Sequence, residues 1–74
     1  WHQVGVIWER LVDRGLVAYV RICGYRWQIA IAIRPGEPLV WQDCVPTRDA
    51  AGGRVCQEHK AKRRATALAR KLIK

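Results

Sequence analysis

From Leu16 onward the chain alternates. Leu16, Ala18, Val20 and Ile22 fall on one side and Val17, Tyr19 and Arg21 on the other, a period of two that predicts a strand. Gly24 marks a turn. The next stretch sends Trp27, Ile29, Ile31 and Ile33 to one face and Arg26, Gln28, Ala30, Ala32 and Arg34 to the other, so its Trp/Ile side is the one expected to be buried. Arg34-Pro35-Gly36-Glu37 then places Pro and Gly at the two central positions of a type II turn, which reverses the chain into a third strand, Leu39 to Cys44. Pro46 ends the sheet. The pattern predicts an antiparallel three-stranded meander.

The first segment, Val4 to Val12, fits two templates. Val4, Ile7, Trp8, Leu11 and Val12 recur at helical spacing, and Gly15 falls where a helix C-terminal cap would stand. Val4, Val6, Trp8 and Val12 also read as alternation with one miss, and Gly5 among β-branched residues weakens a helix. A short helix and a fourth, N-terminal strand both remain open.

Beyond Pro46, Thr47 can cap a short turn ahead of Gly52-Gly53, a pair that inside a helix would cost about 2 kcal/mol relative to two alanines. The glycines therefore predict a loop, with a long helix starting near Arg54. Ala61, Ala65, Leu68, Ala69 and Leu72 share one side of it, and the alanines let its backbone lie close against the Trp/Ile face of the sheet. The expected fold is a single α+β domain, residues 1–74: a three-stranded antiparallel sheet, with or without the N-terminal element as a fourth strand or short helix, packed by a C-terminal helix. No internal repeat, linker or low-complexity segment interrupts it.

Charge changes this picture. Arg54, Lys60, Lys62, Arg63, Arg64, Arg70, Lys71 and Lys74 face a single acid, Glu58, so this stretch carries +7 of the net +8. Lys60, Arg63, Arg64, Arg70, Lys71 and Lys74 recur at steps of three, four and seven, which puts them on one stripe of the helix, opposite the apolar seat. A charged stripe is commonly no more than a solvated face. Such faces usually mix Glu with Lys at (i, i+4), however, whereas no acid follows Glu58 here. Like charges in a row are relieved by a polyanion. Arg outnumbers Lys ten to four, and Arg makes the better bidentate contact with phosphate.

Composition narrows the class. Half of the 74 residues are apolar, which excludes disorder, and four Trp with no Phe or Met mean a core of Trp, Ile, Leu, Val and Ala. Three cysteines, an odd number, argue against a disulfide framework and for a reducing compartment. No apolar run approaches the ~18 residues needed to span a bilayer, and the N-terminus lacks a signal-peptide pattern. The expectation is a cytoplasmic protein that does not enter a membrane.

Catalytic and metal chemistry find little support. Cys56-Gln57-Glu58-His59 has chelate spacing, with Cys44 or Cys23 as candidates to complete a zinc site, but structural sites are usually built from two close pairs. Cys23 and Cys44 read instead as small buried residues of strands. The two histidines, His2 and His59, and six scattered acids form no nucleophile–base–orienter set. The reading is a non-enzyme with no cofactor and no metal.

A second candidate surface is the sheet face away from the helix: Tyr19, Arg21, Arg26, Gln28 and Arg34, joined by Trp41 if the third strand's phase allows. Arg and Gln reach base edges or phosphates, and aromatic rings stack on bases. One face of a small antiparallel sheet must in any case be solvated and polar. Strands followed by a basic helix resemble the arm-type DNA-binding domain of tyrosine recombinases, a resemblance that implies a three-stranded sheet entering the major groove. With Val4 to Val12 helical, the chain also resembles the double-stranded-RNA-binding domain. The stretch that carries this likeness is His59-Lys60-Ala61-Lys62-Arg63-Arg64-Ala65 followed by Ala67-Leu68-Ala69, and it implies phosphate contacts at the helix start. Gly24-Tyr25-Arg26-Trp27 stands where that family carries a Gly-Pro-x-His loop.

The function expected is binding of duplex DNA or RNA. Phosphate contacts come from Lys60, Arg63, Arg64, Arg70, Lys71 and Lys74, with Arg21, Arg26 and Gln28 as a second, more selective surface. The alternative is a small interaction or inhibitor module, of the kind a mobile element encodes, that docks its basic helix on an acidic protein. A homodimer through an exposed strand edge is a further option. Exposure of Trp8 and Trp41 discriminates between these readings, since a bare aromatic patch favours a protein partner.

Overall fold

The computed structural model describes residues 1–12, 15–33, 37–47 and 57–73. Five strands run in sequence order, β1 (His2–Val4), β2 (Ile7–Leu11), β3 (Val17–Cys23), β4 (Arg26–Ala32) and β5 (Gln42–Pro46), before one helix, α1 (Glu58–Ile73). Each strand pairs antiparallel with the next, so the sheet is an unbroken meander. The fold is α+β with a C-terminal helix on an antiparallel sheet, as expected, but the sheet has five strands rather than three.

The extra pair comes from the ambiguous first segment. Val4 pairs with Ile7 across a two-residue loop, Gly5-Val6, in which Gly5 has φ 62°. That conformation breaks a right-handed helix and is what a primed hairpin turn needs at its first central position. The β3–β4 hairpin repeats the device: Cys23 pairs with Arg26 across Gly24-Tyr25, and Gly24 also has φ 62°. Val4 to Val12 fits a helical template only because Ile7, Trp8 and Leu11 are apolar neighbours in a short, partly covered strand.

The last strand also differs from the expectation. It spans Gln42–Pro46 instead of Leu39 to Cys44, and Pro46 lies inside the ladder opposite Arg26. An edge strand tolerates a residue without an N–H. A register irregularity between Arg26 and Gln28 accompanies this pairing. The Pro35-Gly36 turn, Arg34, the Gly52-Gly53 loop and the helix start near Arg54 lie outside the described residues. Within them, the first helical hydrogen bond runs from the Ala61 N–H to the Gln57 carbonyl at 2.9 Å.

Cross-strand register explains the core. Trp8, Val20 and Ile29 form one row, Arg10, Ala18 and Ile31 the next, and Ile22 and Trp27 a third, all on the face toward α1. Ala18, Val20, Ala61, Ala65 and Ala69 are completely buried. Alanines four apart stack on one side of the helix, and with no side chain beyond Cβ they bring its backbone close to Val20 and Ile29. The apolar seat ends there, because Leu72 is 53% exposed. Ala30 and Ala32 are buried on the opposite face, beside the larger Tyr19 and Val17 with which they pair.

Helix α1 packs against β3, β4 and β5. A helix is about 10 Å across and strands are spaced about 4.8 Å apart, so one helix cannot cover five. Beside it, Trp1, just ahead of β1, and Arg10 of β2 line a groove along α1.

Candidate nucleic-acid interface

On a helix each residue advances about 100°, which sorts the cations of α1 around its axis. Ala61, Ala65 and Ala69 face the sheet, and His59, Arg63 and Arg70 cluster on one flank of the solvent arc. Lys60, Arg64 and Lys71 cluster on the other flank. Exposed Ala67 lies between them, so the predicted single stripe is two rows. All six basic side chains are exposed. Lys74 lies outside the described residues.

The first row borders the groove. Its lining is Trp1, Arg10, His59, Lys62, Arg63, Thr66, Ala67 and Arg70, around a volume of about 600 Å³, and no acid is among these residues. Arg10 arrives from β2. Its partner across the strands is Ala18, a core residue, so the register turns the arginine toward the helix side. Trp8, two residues earlier, shares that face, and its ring lies 5.7 Å from that of Trp27 at 50°, a tilted aromatic pair.

Lys62 ties the groove together. Its Nζ lies 5.8 Å from the Trp1 ring centre, 5.5 Å from that of Trp8 and 3.6 Å from Glu58 Oε1 one turn back. The ammonium thus has an acid and two ring faces, contacts typically worth a few tenths to about 1 kcal/mol each at partly exposed sites. Arg10, Arg63 and Arg70 have no such partner among the described residues. Thr66 is satisfied locally, its hydroxyl donating to the Lys62 carbonyl at 3.0 Å.

The other sheet face is organised differently. Arg21 Nε donates to Gln28 Oε1 at 2.9 Å, and Gln28 Nε2 donates to Asp43 Oδ1 at 2.9 Å, a chain across β3, β4 and β5. The Arg21 guanidinium sits 4.1 Å above the Trp41 ring. Both polar ends of Gln28, and the Nε and one face of the Arg21 guanidinium, are thus engaged within the protein. Arg26 is exposed at the hairpin end of the same face, apart from the helix cations.

Of the cations expected to bind, Arg63 and Arg70 line the groove, and the sequence pattern does not reveal Trp1, Trp8, Arg10, His59 and Lys62 as their neighbours. The available signal was Trp8 and Arg10 at a spacing of two, which shares a face only once the segment is a strand. Cys56, on which the chelate spacing rests, lies outside the described residues, which hold no group of three or more His, Cys, Asp or Glu suited to a metal; Cys23 is exposed and Cys44 half-buried, where both were expected to be buried in strands. No described helix is long and apolar enough to cross a membrane. No protein-family model, curated protein or solved structure matches the chain.

Proposed function

We propose that this chain is a non-enzymatic nucleic-acid-binding protein whose C-terminal helix contacts phosphates. The observation that carries the reading is the solvent arc of α1. It presents Lys60, Arg63, Arg64, Arg70 and Lys71 without an acid among them, while Glu58 is held by Lys62 at the edge. Exposed arginines without a partner among the described residues are free to make bidentate phosphate contacts. Lys74 continues the same series in sequence.

Arg21 and Gln28 contribute less in this reading than the helix does. Their side chains are committed to each other, to Asp43 and to Trp41, and a phosphate would have to displace those contacts beside a carboxylate. Docking on an acidic protein is the weaker reading, because Trp8 and Trp41 are both half-buried with a cation over the ring. Neither offers the bare aromatic patch a protein partner favours.

The test is a salt series with short duplexes on the wild type and on a variant with Arg63, Arg64, Arg70 and Lys71 changed to Ala. Log K should fall linearly with log salt, and the variant's slope should be shallower by about 0.9 for each phosphate it no longer neutralises. Equal slopes for the two proteins would remove the helix from the interface.

A further inference from the structure

We infer that the groove between α1 and the β1–β2 hairpin seats an unpaired strand, with one base on the Trp1 ring and successive backbone phosphates on Arg10, Arg63 and Arg70. The inference rests on the reading of α1 as a phosphate-binding face and names the form of nucleic acid that it takes.

Three features of the groove point this way. Its volume, about 600 Å³, lies within the ~300–1,000 Å³ of small-ligand sites, and it is open to solvent. Its cations come from two sequence-distant elements. Arg63 and Arg70 are seven residues apart on one helix face and Arg10 faces them from β2, so a backbone running along the groove meets positive charge on both walls. The third feature is aromatic. Trp1 lines the groove and is 38% exposed, so beside Lys62, 5.8 Å from its ring centre, the indole keeps accessible surface for a base.

That combination discriminates between duplex and single strand. Bases in a duplex are stacked on one another and expose only their edges, so they have no face to give to an indole. An unpaired base does. Such stacking tolerates any base, because every base has a π-face, so the groove should show little sequence preference. Lys62 serves as a positioning residue: it is held by Glu58 and the two indoles, leaving Arg10, Arg63 and Arg70 for the phosphates.

The experiment is a tryptophan-fluorescence titration of the protein with ten-nucleotide oligo-dT, ten-nucleotide oligo-U and a ten-base-pair duplex, repeated with Trp1→Ala. Trp1 is partly exposed, and circular dichroism and a melting curve confirm that the variant folds. The expected result is quenching by the single strands at least tenfold tighter than duplex binding, with Trp1→Ala weakening single-strand binding about 5- to 100-fold and leaving duplex binding unchanged. Comparison of oligo-dT with oligo-U assigns the groove to DNA, RNA or both. Salt-sensitive binding with duplex as tight as single strand, or Trp1→Ala matching wild type, would overturn the groove while leaving the phosphate-binding helix standing. Failure of all three ligands at low salt would overturn both.

Discussion

Replacing Ala65 by Leu inserts three carbons where the helix meets the sheet. Ala65 is completely buried and sits midway along a row with Ala61 and Ala69, over Val20 and Ile29 of the core. Ala65 has no exposed surface through which a larger side chain could turn outward, so either the helix lifts or neighbouring side chains leave their rotamers, at a cost of about 1–3 kcal/mol. An unfolding entropy of about 2.1 cal/mol/K per residue gives about 0.16 kcal/mol/K for 74 residues, so Tm should fall by about 6–19 °C. Ala67→Leu is the matched control: it makes the same chemical change two residues away on the exposed face, and it should change stability by no more than about 0.5 kcal/mol. Thermal denaturation followed by circular dichroism reads both. Equal melting temperatures, or a larger loss for Ala67→Leu, would mean that the helix packs on a different face, and both basic rows would then be misplaced.

Other substitutions probe separate parts of the account. Gly24→Ala meets no atom within 4 Å, so its cost is backbone strain at φ 62°, about 1–2 kcal/mol in a chemical denaturation curve. Gln28→Ala breaks the link between Arg21 and Asp43 on the open sheet face; stability should fall by about 0.5–1.5 kcal/mol while nucleic-acid affinity stays within about twofold. A large loss of affinity there would move the interface to the sheet. Glu58→Gln removes the (i, i+4) partner of Lys62 and should cost up to about 0.5 kcal/mol, yet tighten binding to polyanions at low salt by deleting the acid at the helix edge. Splitting the helix rows, Arg63→Ala/Arg70→Ala should reduce the single-strand salt slope by about 1.4 and Arg64→Ala/Lys71→Ala by less, since only the first pair lines the groove.

The parts legible in the sequence are those governed by local periodicity. Alternation from Leu16 to Ala32 places β3 and β4 and the buried side of Val20, Trp27 and Ile29, although Ile22 and Ile33, expected on that side, are 49% and 56% exposed, and alanines four apart mark the seat of α1. The β1–β2 hairpin is not legible in this way. A strand half-covered by one helix shows neither clean alternation nor a full run, and Ile7, Trp8 and Leu11 mimic a helical stripe. Leu39 and Trp41 read as strand residues because they are apolar, yet they precede β5, whose own sequence, Gln42-Asp43-Cys44-Val45-Pro46, is among the least strand-like in the chain. Cross-strand pairing with Arg26, Gln28 and Ile29 places it, and pairing is a long-range property.

The candidate site divides along the same line. The basic helix is visible as composition and spacing, whereas the groove depends on how much of the sheet one helix covers. Arg10 gains its place opposite Arg63 and Arg70 only through the register with Ala18. Arg21 and Gln28 look equally available as letters, but their geometry couples them to each other and to Asp43. Side chains of the same chemical type thus differ in what they can bind according to whether a partner is already in reach.

The most direct measurement is the salt dependence of single-strand binding by the unmodified chain between about 50 and 200 mM salt. A log–log slope of about −2 to −3, from three or four phosphate contacts at ~0.7 each, is the result predicted by Arg10, Arg63 and Arg70 with a contribution from the outer row. A slope near zero, or no binding at the lowest salt, would contradict a phosphate-binding helix.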